Sequence, residues 1–360
     1  MKILYSAGNR VGANSQLSRF LQHVGGKHEI KIAAYLRSSE SISHIDWTLD
    51  ALHYNKPASA NTGMFHLFGY RGVPFVNVDN ARIFLQEAEK FEPELFIVDG
   101  EPIAAHIAKK LGIKLWYYSP LHLLNGLEWE KGQLRYISRL TSLRHMLRSM
   151  PEPDAAFIYS PFGDIKFRPY LKNGFEWIKP YHVDVSEKPT IIIKSRSVGP
   201  STSVLPGANI AIINDINRYS ALTKILNSIS SDFTISLFSP FTERYNNLLV
   251  ENINNKLKYL DKLTYARWLF TTGETSYISD AFYNLKDVCI APTLTDPETL
   301  LNAILCRSYG IGVDVAQVEL SKDFAAETIK KAYFKKLKKN YLSVQKASLL
   351  HDRINNLCNT

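Results

Sequence analysis

The chain has 360 residues, of which 45% are hydrophobic, and its formal net charge is +9. This length suits two domains with a core each, and no run approaches the roughly 18 apolar residues that a membrane-spanning helix needs. Cys289, Cys306 and Cys358 show no paired spacing, which argues against a disulfide scaffold and indicates a reducing compartment. Because the N-terminus enters a predicted strand without a signal peptide, we expect a cytoplasmic monomer, in the host cytoplasm if the protein is viral.

Short apolar runs alternate with amphipathic helical patterns along the chain. We predict strands over residues 1–6, 30–35, 95–98, 114–118, 209–213, 233–238, 257–260, 268–272 and 288–291. This alternation favours parallel sheets, so the predicted fold class is α/β, with two Rossmann-like domains and a cleft between them. We place the first domain at 1–181, a linker with Pro and Gly at 182–206, the second domain at 207–325 and a helical tail at 326–360.

The N-terminal strand leads into a glycine-containing segment, residues 8–15, and apolar residues from Leu17 onward recur at helical spacing. A single strand, Gly-rich loop and helix is weak evidence, because many doubly wound domains begin in this way. A second such unit downstream strengthens it. We therefore assign Gly12 and Asn14 to the same ligand as that second unit, a phosphate-bearing donor substrate.

Two acidic residues follow the predicted strand at 95–98. Asp99 stands at its carboxyl end, where ligands bind in open α/β sheets. Glu101 precedes Pro102, which suits the first position of a helix. The structural alternative is that Glu101 caps the helix amides of residues 103–105 and that Asp99 is a turn residue.

A basic stretch follows the next predicted strand. Basic residues recur there at spacings of four, four, five and four, and no acidic residue lies between Glu130 and Glu152. They are Lys131, Arg135, Arg139, Arg144 and Arg148. Most of them would lie on one side of a helix. A solvated helix face is the ordinary explanation. The functional alternative is an acceptor site for a polyanion, formed by Arg135, Arg139, Arg144 and Arg148 with the nearby Tyr118.

The most informative segments lie in the second half. The run Thr271-Thr272-Gly273-Glu274-Thr275-Ser276 joins a predicted strand to a helix, which places backbone N–H groups and the positive end of a helix dipole where a pyrophosphate would sit. About twenty residues later an acidic and amide cluster opens the next helix. Its members, suited to binding sugar hydroxyls, are Asp296, Glu298, Thr299 and Asn302. We assign these residues, with Gly273, Glu274, Thr275 and Ser276, to a donor site.

These segments resemble the GT-B glycosyltransferases, and within them the archaeal and bacterial branch related to the peptidoglycan N-acetylglucosaminyltransferase. Residues 273–281 stand where that family has a Gly-x-Ser-x-x-Ser-Glu-Ala helix start, and residues 298–303 stand where it has a Glu-Gln-x-x-Asn-Ala element. Residues 99–102 resemble its Asp-x-Glu-Pro element. Thr299 stands in place of the family's Gln, and Ala13 in place of the His that is often the catalytic base. The resemblance implies a C-terminal helix that crosses back to the first domain.

The resemblance also implies transfer of a sugar from a nucleotide-diphosphate sugar, UDP-linked, to an acceptor hydroxyl. In an inverting mechanism one carboxylate takes the hydroxyl proton, and we assign this role to Glu101 or Asp99, favouring Glu101. The chain has no Asp-x-Asp pair, so we expect no metal and no cofactor apart from the nucleotide sugar as co-substrate.

A cation would then stabilise the leaving nucleotide. Arg196 is our candidate for this donor contact, with Arg267 and Arg10 as alternatives, and Asn214 is assigned to the same site.

Two acceptors fit the positive charge. The first is DNA that carries 5-hydroxymethylcytosine, as in bacteriophage enzymes that glycosylate their own genomes, with cations on phosphates and a flipped base in the cleft. The second is a lipid-linked or cell-surface glycan, with the cations on anionic headgroups and peripheral membrane contact. A third alternative, supported by Ala13, is a catalytically inactive module that binds a nucleotide sugar or nucleic acid.

Overall fold

The computed structural model describes residues 1–7, 11–24, 26–34, 46–48, 78–129, 140–162, 172–183, 209–212, 222–224, 226, 235–239, 248–252, 256–266, 268–284, 286–292, 296–309, 313–314 and 348–358. The chain forms two compact units. The first comprises Met1–Tyr181, Asp296–Leu301 and Leu342–Thr360, and the second comprises His182–Thr295 and Asn302–Tyr341. In the described segments no helix is both long enough and apolar enough to cross a membrane.

The first unit contains a sheet of seven parallel strands. They are β1 (Lys2–Ser6), β2 (Glu29–Ala34), β3 (Trp47–Thr48), β4 (Leu95–Val98), β5 (Lys114–Tyr118), β6 (Ala155–Tyr159) and β7 (Phe175–Ile178). Their order is β3-β2-β1-β4-β5-β6-β7, so the direction in which strands are added reverses between β1 and β4. Across that reversal Ile3 pairs with Leu95, and Ser6 pairs with Val98.

Helices follow these strands. They are α1 (Val11–Val24), α2 (Val78–Phe91), α3 (Pro102–Leu111), α4 (Leu123–Gly126) and α5 (Thr141–Ser149). The bounds of α3 follow from its sequence. Pro102 occupies the first position, where a missing N–H costs nothing. Gly112, with φ of 68°, ends the helix, and its N–H donates to the carbonyls of Ala108 and Lys109.

The central strands of this sheet are buried on both faces, as parallel strands covered by helices are. All four residues of β4 are buried, and so are the last four of β1. On one face the core includes Ile3 and Ile97 from the sheet, and Leu17 and Phe20 from α1.

The second unit contains a sheet of six parallel strands. They are β8 (Asn209–Ile212), β9 (Ile235–Ser239), β10 (Leu249–Asn252), β11 (Trp268–Thr271), β12 (Asp287–Ile290) and β13 (Val313–Asp314). The order β10-β9-β8-β11-β12-β13 repeats that of the first sheet, with its reversal between β8 and β11. Three further helices are α6 (Lys256–Tyr265), α7 (Thr275–Tyr283) and α8 (Pro297–Tyr309).

The C-terminal helix α9 (Leu350–Cys358) belongs to the first unit. Its Leu350 and Ile354 are fully buried in the same core as Phe20 of α1. Arg353 forms an ion pair with Glu176 of β7. The predicted helix that returns to the first domain is thereby confirmed.

The sequence predicted most of the strands. Eight of the predicted strands are confirmed to within two residues at each end, and β3, β6, β7, β10 and β13 are not among them. The strand predicted at 257–260 is wrong, because these residues lie in α6. Tyr259, Leu263 and Ala266 are buried at spacings of four and three, whereas Leu257 is 65% exposed, which is a helical pattern.

Candidate functional site

Both sheets carry the same turn just beyond the point where strand order reverses. After β4 comes Asp99-Gly100-Glu101, and after β11 comes Thr272-Gly273-Glu274. The glycines have φ of 66° and 108°, values that glycine adopts without steric cost. Each glutamate is the N-cap residue of the helix that follows. Ligands of open α/β sheets bind outside the carboxyl ends of the strands at such reversals, so both turns are candidate sites.

In the second unit the turn holds its glutamate through hydroxyl groups. Thr271 Oγ1 donates to Glu274 Oε2 at 2.9 Å, and Thr272 Oγ1 donates to Glu274 Oε1 at 2.6 Å. The N–H of Gly273 donates to Thr271 Oγ1 at 3.2 Å. The carboxylate is only 3% exposed, so these bonds form away from bulk water and are stronger for it.

The glutamate of this turn therefore does not cap its helix. Glu274 makes no side-chain hydrogen bond to the amides of α7. Ser276, in the first turn of α7, is fully buried, and no described residue offers its Oγ a hydrogen-bond partner. The start of a helix is suited to an anion, and the Ser276 hydroxyl belongs to the first turn of α7.

Helix α8 supplies the second half of the predicted donor site. Asn302 Nδ2 donates to the Gly273 carbonyl at 2.8 Å and to Thr275 Oγ1 at 3.0 Å, so this amide fixes the turn that precedes α7. Within the described part of the chain, Asn302 Oδ1 has no hydrogen-bond partner, although it is buried.

The start of α8 is fixed by its own acid. Asp296 Oδ1 accepts from the amides of Glu298 at 2.8 Å and Thr299 at 3.4 Å, and Thr299 Oγ1 donates to the Asp296 carbonyl. Asp296 thus acts as a cap. The side chains of Glu298 and Thr299 are each 1% exposed.

In the first unit the corresponding glutamate does cap its helix. Glu101 Oε1 accepts from the amide of Ile103 at 3.1 Å, and Glu101 Oε2 accepts from the amide of Ala104 at 2.7 Å. Both carboxylate oxygens are used in this way, and the residue is 1% exposed. This is the structural alternative stated for Glu101, and the two amide bonds offset part of the cost of burying its charge.

Asp99 is fully buried beside an aromatic hydroxyl. Tyr159 OH donates to Asp99 Oδ2 at 2.9 Å. The ring of Tyr159 lies 4.4 Å from that of Tyr118, which is also fully buried. Burial raises the pKa of Tyr118 well above its ordinary value, and Tyr181, Tyr5 and Asp99 act in the same direction. Tyr118 is thus as fully buried as Asp99, and the acceptor contact predicted for it stays a prediction.

A buried glutamine links this tyrosine group to the end of the first unit. Gln16 Oε1 accepts from the N–H of Tyr181 at 2.7 Å and from Tyr118 OH at 3.3 Å, and Gln16 Nε2 donates to the Tyr181 carbonyl at 2.8 Å. Gln16 and Tyr159 were not among the site residues predicted from the sequence. Their partners are far away in sequence, so no local pattern marks them.

Two of the predicted basic residues lie on α5. Arg144 and Arg148 are one helical turn apart, as the spacing predicts, and Arg148 is exposed. Burial lowers the pKa of Arg144, and Arg148 lowers it further. Arg135 and Arg139 lie outside the described residues, as do Arg196, Arg267, Arg10 and Asn214.

The N-terminal loop residues belong to a helix. Helix α1 begins at Val11, so Gly12 and Asn14 lie in its first turn rather than in the predicted loop. The side chain of Asn14 is outside the described residues. Among the residues described, no group of three or more His, Cys, Asp or Glu side chains is placed to hold a metal ion.

Solved glycosyltransferases share this architecture over the whole chain. The calicheamicin glycosyltransferase CalG4 has a TM-score of 0.64 and 11% identity, and the match covers 99% of this chain and 97% of CalG4. The Streptomyces sp. SF2575 glycosyltransferase SsfS6, complexed with thymidine diphosphate, has a TM-score of 0.62 and 12% identity over 100% of both chains. The spinosyn rhamnosyltransferase SpnG complexed with thymidine diphosphate has a TM-score of 0.62 and 11% identity, also over 100% of both.

No protein-family model matches the sequence, and no curated protein matches it. The likeness to the solved structures establishes the fold: two Rossmann-like domains, the GT-B architecture that the sequence predicted. The narrower resemblance to the peptidoglycan branch stays a prediction.

Proposed function

We propose that the protein is a glycosyltransferase that moves a sugar from a nucleoside diphosphate to an acceptor hydroxyl. The observation that carries the proposal is the start of α7. Its N-cap carboxylate is held away from the helix amides, and the buried Ser276 hydroxyl beside those amides has no partner among the described residues. A diphosphate would satisfy both kinds of donor and would be stabilised by the helix dipole.

The donor is proposed to be a pyrimidine nucleoside diphosphate sugar. The sequence resemblance points to UDP, and the neighbours SsfS6 and SpnG were both solved with thymidine diphosphate. Glu298 and the Oδ1 atom of Asn302 are the proposed ligands of the sugar hydroxyls, whereas Asp296 caps its own helix. Residues 271–276 are buried, so a ligand reaches them only after neighbouring atoms move aside.

The proposed reaction is a displacement at the anomeric carbon. The acceptor oxygen forms the new bond, the bond to the diphosphate oxygen breaks, and a carboxylate takes the hydroxyl proton. We now favour Asp99 over Glu101 as this base, because both oxygens of Glu101 already accept helix amides. Tyr159 would hold the Asp99 carboxylate in position through its hydroxyl.

The acceptor is proposed to be the hydroxyl of a small molecule. This follows the names of the structural neighbours, one of which is a spinosyn rhamnosyltransferase complexed with spinosyn aglycone. DNA with 5-hydroxymethylcytosine is the second candidate, and the observation in its favour is the net charge of +9 together with Arg144 and Arg148 on one helix.

Calorimetric titration of the purified chain with UDP, thymidine diphosphate and GDP tests the donor site. We expect the pyrimidine diphosphates to bind and Ser276→Ala to weaken them about tenfold, the value of a hydrogen bond to a charged group. Ser279→Ala is the matched control, because this buried hydroxyl of the same helix already donates to the Thr275 carbonyl. Absence of binding by all three nucleotides in the wild type would refute the proposal.

Mass spectrometry of reaction mixtures then identifies the acceptor. The panel contains UDP- and TDP-sugars with hydroxylated polyketide aglycones, duplex DNA with 5-hydroxymethylcytosine, and lipid-linked glycans. A sugar mass on an aglycone supports the first candidate, and a sugar mass on DNA or on a glycan replaces it. Donor binding without transfer to any of them would favour the inactive binding module. Replacement of Arg144 and Arg148 by Ala should matter only for DNA, by flattening the salt dependence of binding.

A further inference from the structure

The same Gly-Glu turn occurs in both units, but its glutamate side chain caps the following helix in the first unit and does not in the second. Glu101 turns onto its helix and accepts the amides two and three residues ahead. Glu274 turns away from its helix and accepts two threonine hydroxyls. Both glutamates are N-cap residues after a glycine of positive φ, so residue type does not explain the difference, and the backbone angles of the two turns differ by about 40° in the φ of the glycine and of the glutamate.

The two residues before the glycine differ in their hydrogen-bonding groups. In the first unit they are Val98, which has no hydrogen-bonding side chain, and Asp99, which when ionised only accepts hydrogen bonds. Neither side chain can donate to a carboxylate, and Glu101 accepts the helix amides of Ile103 and Ala104. In the second unit the same positions are Thr271 and Thr272, and each hydroxyl donates to one oxygen of Glu274.

We propose that Thr271 and Thr272 are positioning residues that keep Glu274 off the start of α7 and so leave its amides for the donor diphosphate. This inference rests on the proposed function of α7 as the diphosphate site. Without the two hydroxyls, Glu274 would accept the amides of Ser276 and Tyr277, which correspond to the amides that Glu101 accepts in α3. A carboxylate in that position would compete with the diphosphate for the same donors and repel its charge.

Two opposing preferences decide whether Glu274 accepts the threonine hydroxyls or the helix amides. A capping side chain stabilises the start of a helix, and this preference is what the two hydroxyl bonds must outweigh. Both bonds are to a charged acceptor in a buried place, where each is stronger than its solvent-exposed equivalent. Loss of the hydroxyls would remove the bond from the Gly273 N–H, but Asn302 would still hold the Gly273 carbonyl and Thr275.

The test is a titration of UDP and thymidine diphosphate into three variants of the full chain. Thr271→Val with Thr272→Val preserves side-chain shape, and we expect affinity to fall about tenfold, comparable to the value of a cap. Addition of Glu274→Ala to this pair should recover most of the loss, because no carboxylate is left to occupy the amides. The conservative pair Thr271→Ser with Thr272→Ser keeps both hydroxyls and should rescue binding.

An affinity of the valine pair within twofold of the wild type would overturn the inference. So would a triple variant as weak as the valine pair, since the loss would then come from the hydroxyls themselves.

A crystal structure of the valine pair gives a readout without ligand. Glu274 oxygens on the amides of Ser276 and Tyr277 support the inference, and an unmoved Glu274 overturns it. Failure of the wild type to bind any nucleotide, with Glu274 moved in that crystal structure, refutes the proposed function and leaves the positioning role intact.

Discussion

Replacement of Glu101 by alanine should destabilise the protein through the loss of one helix cap. Two hydrogen bonds disappear, from the amides of Ile103 and Ala104, and both lie in a place where water cannot replace them. Loss of an N-cap costs about 0.5–2 kcal/mol, and the buried methylene that alanine lacks adds about 0.8 kcal/mol. Relief from burying the charge offsets part of this. We therefore expect a net loss of about 2 kcal/mol.

Differential scanning calorimetry measures this loss. For a domain of this size the midpoint of unfolding should fall by about 4–8 °C. Glu89→Ala is the matched control, because Glu89 is exposed on α2 and should change stability by no more than about 0.5 kcal/mol. If Glu101→Ala unfolds at the same temperature as Glu89→Ala, the capping role is refuted.

A serine at position 101 separates capping from catalysis. Serine is a good N-cap residue, so Glu101→Ser should regain about half of the lost stability. A variant that is stable and still transfers sugar would leave Asp99 as the base, as proposed above. If the Glu101→Ser variant regains stability but no longer transfers sugar, the catalytic role would return to Glu101.

Three further predictions concern the turn before α7 and the helix α9. Asn302→Leu leaves the Gly273 carbonyl buried without its donor, so we expect a loss of about 1–3 kcal/mol in chemical denaturation and weaker nucleotide binding; unchanged values for both would contradict the role of Asn302 in fixing the turn. Ile354→Ala should cost about 2–5 kcal/mol, because its side chain is fully buried in the first core, and a loss below this range would mean that α9 contributes little to that core. Burial lowers the pKa of His351 below its ordinary value of 6.5, His23 and Lys27 act in the same direction, and Asp352 opposes them. The unfolded chain therefore binds a proton that the folded chain does not, so stability should fall as pH drops below about 6.5. His351→Asn should reduce that fall in urea denaturation at pH 7.5 and 5.5, and an identical pH dependence in both proteins would refute the assignment.

The strands were predictable because their signal is local. Apolar runs such as Leu95–Val98 and Trp268–Thr271 are short, continuous and followed by glycine turns, and each is a strand. The segment at 257–260 failed because four residues are too few to distinguish alternation from helical spacing, and the buried residues that decide it extend to Ala266.

The site was predictable only in part, for a physical reason. The sequence identified Glu101 and Glu274 as residues at helix starts, but the direction of each side chain depends on hydroxyl donors at the preceding positions. Gln16 and Tyr159 could not be found at all, since their partners Tyr181 and Asp99 are more than fifty residues away in the chain. Long-range hydrogen bonds of this kind leave no periodic signal.

The position of α9 has a consequence for synthesis of the protein. Leu350 and Ile354 complete a core that also contains Ile3 and Phe20. During translation the ribosome makes the whole second unit between these two sets of residues. One face of the first sheet therefore remains partly uncovered until α9 emerges. Until then its apolar surface is open to chaperones and to other nascent chains. We therefore expect chains that stall before residue 350 to be retained by chaperones, although nearly all of the first unit's residues have already been made.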